Sequence, residues 1–216
     1  MSATIRDDRP RLVCFDLGGV VVRICRSWAE GCAAAGLPVH GAAERERTRS
    51  DRQEAVLAYQ TGRIDGPAFA RKISAILDGA YTPKEIMDVH RAWIIGAYPG
   101  MDTLIDGIHA AGLETGVLSN TNAEHWSALE GIGAFTRLHN RHASHLLGLH
   151  KPDPAIYRAF EAATGFGADD IVFFDDLPEN VEGARSAGWR AMPIDPLGDP
   201  ASQVRGHLAA LGLALG

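Results

Sequence analysis

The chain has 216 residues, of which 46% are hydrophobic and 22% charged, with a formal net charge of −6; it can build one sizeable core, or a core carrying a smaller insertion. The net negative charge argues against a sequence-independent grip on nucleic acid or an anionic membrane, which requires a basic face, so neither partner is expected, while a local basic pocket stays open. Cys14, Cys25 and Cys32 are odd in number and form no CxxC pair, the opening "MSATIRDDRP" has no secretory apolar run, and no stretch approaches the ~20 apolar residues of a membrane span, so a cytoplasmic protein without disulfides or structural zinc is expected.

The first element in the chain is "RLVCFD" (11–16), a short apolar run of the kind that forms a strand covered on both faces. It ends on Asp16, with Gly18 and Gly19 close behind; a carboxylate there is costly unless something binds it. From residue 23 to about 95 no buried strand is legible, only helical patterns. Phe69, Ile73, Ile76 and Leu77 form one stripe behind Pro67, and "TPKEIMDVHRAWI" carries a capping box from Thr82 to Glu85. These patterns predict an all-helical insertion entered and left by short hinges near Arg23 and Tyr98. Trp28, Tyr59, Phe69 and Trp93 read as the core of that small bundle, with Tyr59 or Gln60 as alternatives facing a ligand.

Alternation then resumes. "PGMDTLIDGIHAAG" places Met101, Leu104, Ile105 and Ile108 on one helical face and stops at Gly112, and the strand "ETGVLS" (114–119) follows. "KPDPAIYRAFEAATG" offers Asp153 as N-cap and Pro154 at the first helical position, ending near Gly165. The strand "IVFFD" (171–175), a helix in "PENVEGARSAG" closing at Gly188, and the strand "RAMPI" (190–194) complete the series. Buried strands alternating with amphipathic helices predict an α/β fold: a doubly wound parallel sheet formed by 1–22 and 96–216, with residues 23–95 as an inserted helical cap.

In such a sheet, ligands collect beyond the carboxyl ends of the strands. Those ends deliver Asp16, then Ser119 with Asn120, then Asp175 with Asp176, while Lys151 stands just before a helix. Carboxylates converging at neighbouring strand ends repel one another unless a cation sits among them, and oxygen-only ligands favour Mg²⁺ over zinc. A lysine, a serine hydroxyl and nearby backbone N–H groups make a cradle for a phosphoryl group. Each residue alone has a plainer role, as a cap, a turn or a solvated charge. Their shared placement at element boundaries argues against four separate coincidences. His139, His142, His145 and His150 match no zinc spacing and read as loop or surface residues. Arg23 and Arg26 either reach an anionic substrate from the hinge or lie on the surface.

The order "FDLGGV", "VLSNTN", "HKPDPAIY" and "FFDD" with Asn180 beyond resembles the haloacid dehalogenase superfamily, over nearly the whole chain. Within it the sequence is similar to small sugar-phosphate phosphatases of the glucose-1-phosphate type. The resemblance implies that Asp16 is a nucleophile forming an aspartyl-phosphate that water hydrolyses. It implies that Ser119 and the Asn120 N–H hold the phosphoryl oxygens, and that Lys151 neutralises nucleophile and phosphate. Asp16, the Gly18 carbonyl, Asp175 and Asp176 would ligate Mg²⁺, with Asn180 anchoring them from behind. Gly18 departs from the usual phosphatase pattern, in which an aspartate two residues beyond the nucleophile transfers protons; its absence costs about 10²–10⁴-fold in rate unless another group serves. His40, His90 and Glu179 are candidates. The implied partner is a small phosphorylated metabolite, acted on by a monomer or homodimer. Two other readings stay open: a 2-haloacid dehalogenase, which needs no leaving-group acid, and a non-catalytic phosphometabolite-binding module.

Overall fold

The computed structural model describes residues 9–41, 46–213 and 215. Five strands form a parallel sheet: β1 (Leu12–Phe15), β4 (Glu114–Ser119), β5 (Asn140–Ala143), β6 (Ile171–Asp175) and β7 (Arg190–Pro193), in the spatial order β5-β4-β1-β6-β7. The reversal of order on either side of β1 makes its carboxyl end the switch point of a doubly wound sheet.

Period-two alternation splits β1 between two layers. Val13 and Phe15 pack on one face with Leu104 and Ile108 of α5 (Met101–Ala110) and Val204 and Leu208 of α11 (Pro200–Ala210). Leu12 and Cys14 pack on the other with Ile156, Tyr157 and Phe160 of α9 (Pro154–Thr164) and Ala184 of α10 (Pro178–Ser186). Burying each large apolar side chain contributes about 1.5–3 kcal/mol, which is why strands covered on both faces read as continuous apolar runs. The expected caps are present: Asp153 accepts from the Ala155 N–H at the start of α9, and Gly112, Gly165 and Gly188 take positive φ where their helices end.

The inserted helices are α1 (Trp28–Ala35), α2 (Arg49–Gln60), α3 (Gly66–Ile76) and α4 (Pro83–Arg91). They bury their own core, in which Cys32, Tyr59, Phe69, Ile73, Leu77, Tyr81, Ile86 and Val89 meet. The Thr82–Glu85 capping box opens α4 as expected. The junctions differ from the expected hinges: β2 (Val22–Ile24) and β3 (Ile94–Ala97) pair antiparallel, so the insertion leaves and rejoins the sheet domain through one ribbon. Val22 lies at the end of a continuous apolar run, which hides the strand's own alternation. β5, "NRHA", was also illegible, because an edge strand covered on one side needs few apolar residues. The short helices α6 (Ala123–Leu129), α7 (Gly133–Thr136) and α8 (Ser144–Leu147) fill the span from β4 to α9. Among the described residues no helix is long and apolar enough to cross a membrane.

Candidate active site

Parallel register brings the strand tips together. Phe15 pairs with Val117 on one side and Phe174 on the other, and the Asp16 N–H continues the ladder to the Phe174 carbonyl at 2.8 Å. Asp16 therefore emerges between Ser119 and Asp175. Beyond it the chain turns sharply: Gly19 has φ +86°, and a Cβ there would lie 2.4 Å from Asp176 Oδ2. Only glycine satisfies both the left-handed backbone and that close approach.

Lys151 is buried between two of the acids, its Nζ donating to Asp16 Oδ1 at 2.9 Å and to Asp175 Oδ2 at 2.6 Å. Burial alone would lower the Lys151 ammonium, but the Asp16 and Asp175 carboxylates outweigh it and hold the group above the ordinary lysine range. Lys151 thus stays charged. Burial pushes the Asp16 carboxyl up to about 6, opposed by Lys151 and reinforced by Asp175. Asp175 is braced from behind: the Leu177 N–H donates to Oδ1 at 2.9 Å, and Asn180 Nδ2 reaches both oxygens at 3.0 Å. Asn180 is itself held by the Tyr157 hydroxyl, which donates to its carbonyl at 2.8 Å. Asp176 accepts from Arg26 Nη1 at 2.9 Å, and burial pushes its carboxyl up as well.

Oxygens of Asp16, Asp175 and Asp176 lie within 4.8 Å of one another. The bonds to Lys151 and Arg26 occupy one oxygen each of Asp16 and Asp176. An all-oxygen set of three converging carboxylates, two of them buried, fits a hard divalent cation such as Mg²⁺ better than zinc. Asp16, Gly18, Ser119, Asn120, Asp176 and Asn180 line one cavity of about 300 Å³. It shares Gln60, Asn120, His150, Leu177 and Asn180 with a wider cleft of about 740 Å³ beneath α2, into which Lys151 also faces.

The structure brings the expected set of Asp16, Gly18, Ser119, Asn120, Lys151, Asp175, Asp176 and Asn180 to one place. It disperses others. His40 packs against Tyr81, with ring centroids 4.9 Å apart. His90 stacks on His125 at 3.9 Å between cap and core, where burial first, then His125, push it down to about 3. Glu179 is exposed on the cleft wall. His139 bonds Glu114, His142 meets Phe160 edge-on and His145 lies against Trp126, so they do not cluster. His150 is different: it lines the Asp16 cavity, and its position immediately before Lys151 was the signal that a loop assignment overlooked. Arg26 reaches the acidic cluster through Asp176, and Tyr59 belongs to the cap core while Gln60 faces the cavity.

Fold and site together define a capped, doubly wound α/β protein with a lysine-bridged acidic centre at the carboxyl edge of its sheet. The model of the haloacid dehalogenase-like hydrolases matches residues 10–188, and the chain belongs to that family. Phosphatase MT3486 of Mycobacterium tuberculosis is 33% identical over 120 residues, which cover 55% of this chain and 55% of that protein. The chain thus aligns with about half the length of that relative. Among solved structures, a predicted HAD-like hydrolase from Porphyromonas gingivalis superposes with a TM-score of 0.75 at 22% identity, over 92% of this chain and 98% of that one. A HAD family enzyme from Bacteroides thetaiotaomicron, in complex with magnesium and inorganic phosphate, superposes with a TM-score of 0.70 at 20% identity, over 85% and 93%.

Proposed function

We propose that the protein is a Mg²⁺-dependent phosphatase that hydrolyses a small phosphorylated metabolite, a sugar phosphate as the leading class, through an aspartyl-phosphate on Asp16. The observation that carries this reading is the buried Lys151 ammonium held between Asp16 and Asp175, with Asp176 within reach of the same point. The division of labour is a core of residues 1–22 and 96–216 with a cap of 23–95, of which 1–8, 42–45, 214 and 216 lie outside the described residues. The relative named as a phosphatase and the neighbour holding magnesium and phosphate support the phosphatase reading.

Asp16, the Gly18 carbonyl, Asp175 and Asp176 would hold the metal, which when bound offsets the charge of the phosphoryl group and its carboxylate surroundings. Lys151 keeps the Asp16 carboxylate aimed and ionised at neutral pH, above its pKa of about 6. Ser119 Oγ and the Asn120 N–H take the non-bridging phosphoryl oxygens. Asp16 attacks phosphorus, the bond to the leaving oxygen breaks, and water later cleaves the acyl phosphate to return Asp16. The cap closes the cleft and excludes bulk water. A 2-haloacid dehalogenase needs only the nucleophile, and the acidic pair Asp175 and Asp176 beside it disfavours that chemistry in the absence of a metal. A panel of phosphorylated metabolites with and without Mg²⁺, run beside a 2-haloacid, decides the matter. Phosphate release that requires Mg²⁺ is expected; halide release, or no turnover on any ester, would overturn the reading.

A further inference from the structure

The last residue of cap helix α2 is tied to the segment that carries the catalytic lysine. Gln60 Oε1 accepts from His150 Nε2 at 2.9 Å, and Gln60 Nε2 donates to the Asn120 carbonyl at 3.4 Å. The Ser144 hydroxyl, which also accepts the Thr121 N–H, donates to the Gln60 carbonyl at 2.5 Å. Two residues on, Gly62 has φ +68°, and a Cβ there would lie 2.7 Å from the His145 carbonyl, so cap and core backbones meet closely at this point.

From Gln60 the bonds run through Asn120 and His150 to Lys151. Asn120 Oδ1 accepts the Lys151 N–H at 2.8 Å, and its Nδ2 donates to the Lys151 carbonyl at 3.0 Å. Those two bonds fix the amide's orientation, so that Nδ2 also faces His150 Nδ1 at 3.2 Å. The imidazole is therefore an acceptor at Nδ1 and a donor at Nε2, which is the neutral tautomer that Gln60 Oε1 requires. Burial favours the same neutral form and outweighs the opposing bond to the Lys151 main chain.

We propose that Gln60 is a positioning residue: seating the cap places its amide on His150 and Asn120, which sets the main chain of Lys151 and so aims its ammonium at Asp16. The proposal rests on the phosphatase reading for its kinetic consequence, while the contact itself can be tested without it. It explains how a closed cap is reported to the nucleophile, which lies at the far end of the bonded chain Gln60, His150 and Asn120, Lys151, Asp16. It also requires that His150 stay neutral. A proton on Nδ1 would face the Asn120 NH₂, and Asn120 would have to release Lys151. The charged groups sharing the two cavities with His150 are Lys151, Glu46, Arg49, Arg52 and Glu179 on the cleft side, and Asp16, Arg26 and Asp176 within. All of them are common to wild type and the variants below.

The test uses p-nitrophenyl phosphate with Mg²⁺, inorganic phosphate as a competitive inhibitor, and NMR titration of His150. Gln60→Ala should lower kcat about tenfold, the loss expected of roughly one well-placed hydrogen bond, while the phosphate inhibition constant stays within about twofold. Gln60→Glu places a carboxylate on Nε2, raising the His150 pKa by about one unit. Gln60→Asn, which keeps the amide on a shorter stem, should recover part of the loss. An unmoved His150 titration in Gln60→Glu would overturn the contact whether or not the protein is a phosphatase. Wild-type kcat in Gln60→Ala, or a loss there that Gln60→Asn does not partly recover, would overturn the positioning role. Wild-type protein that turns over no ester condemns the phosphatase reading and, because Lys151 then has nothing to aim at, the positioning role with it, leaving the contact to the NMR result.

Discussion

Replacing Asp16 by Asn separates what the site does from what it costs the fold. Asn keeps the shape of the protonated acid, so the change removes the ionisation and little else. Burial lifts Asp16 from the ordinary aspartate range to about 6, which means that the folded chain disfavours the carboxylate. A shift of about two units at ~1.4 kcal/mol each makes the ionised side chain a liability of about 3 kcal/mol at pH 7. The sign follows from proton uptake: between pH ~4 and 6 the folded state holds a proton that the unfolded state has released, so wild-type stability falls as pH rises through that window. Asp16→Asn should therefore be more stable than wild type by about 3 kcal/mol at pH 7 without metal, or about 6–12 °C in Tm for a chain of this size. The advantage should vanish near pH 4 and shrink when Mg²⁺ is added, and turnover should be lost. Urea unfolding followed by circular dichroism across pH 4–8, with and without Mg²⁺, measures all of this except the turnover assay. A variant less stable than wild type at pH 7, or a gain independent of pH, would refute the electrostatic argument; retained turnover would remove Asp16 as nucleophile.

Three more outcomes follow from the same geometry. Gly18→Asp would supply the missing proton-transfer group; its Cβ would lie 2.9 Å from Ile24 Cδ1, so the variant is best made with Ile24→Ala. It should raise rates for alkyl phosphates about tenfold or more and for aryl phosphates little, and equal effects would show that the proton already comes from elsewhere. Gly19→Ala forces a positive φ on alanine and drives its Cβ into Asp176, so a loss of about 3 kcal/mol in denaturant unfolding and weaker Mg²⁺ binding are expected; wild-type stability would contradict the turn geometry. His90, held down to about 3 by burial, contributes stability above the ordinary histidine pKa that is lost as pH falls toward 3, because the unfolded chain takes up the proton first. The stability gap between wild type and His90→Gln should narrow by about 2–3 kcal/mol between pH 7 and 4.5, and a constant gap would disprove it.

Several features could be read from the chain without its fold. The runs at 11–16, 114–119 and 171–175 announced strands buried on both faces, observed at Leu12–Phe15, Glu114–Ser119 and Ile171–Asp175, since the apolar content of a segment is a local property. Helix starts at Asp153 and Thr82 were legible for the same reason: a cap is a bond between near neighbours. The acids at the strand tips were identifiable because parallel order places all such tips at one edge, whatever lies between them.

Other features depend on groups far apart in sequence, and only the tertiary structure decided them. The ribbon of β2 and β3 joins residues seventy or more positions apart, and neither strand alone has the length or alternation to declare itself. Arg26 meets Asp176 across a separation of 150 residues, and Gln60 meets His150 across 90. A charge or an amide in a sequence carries no mark of its partner, because hydrogen bonds and ion pairs act over a few ångströms of space while the chain specifies only neighbours along itself. The sequence thus determined which chemistry is present at the sheet's edge, and the packing of cap on core determined which side chains hold it in place.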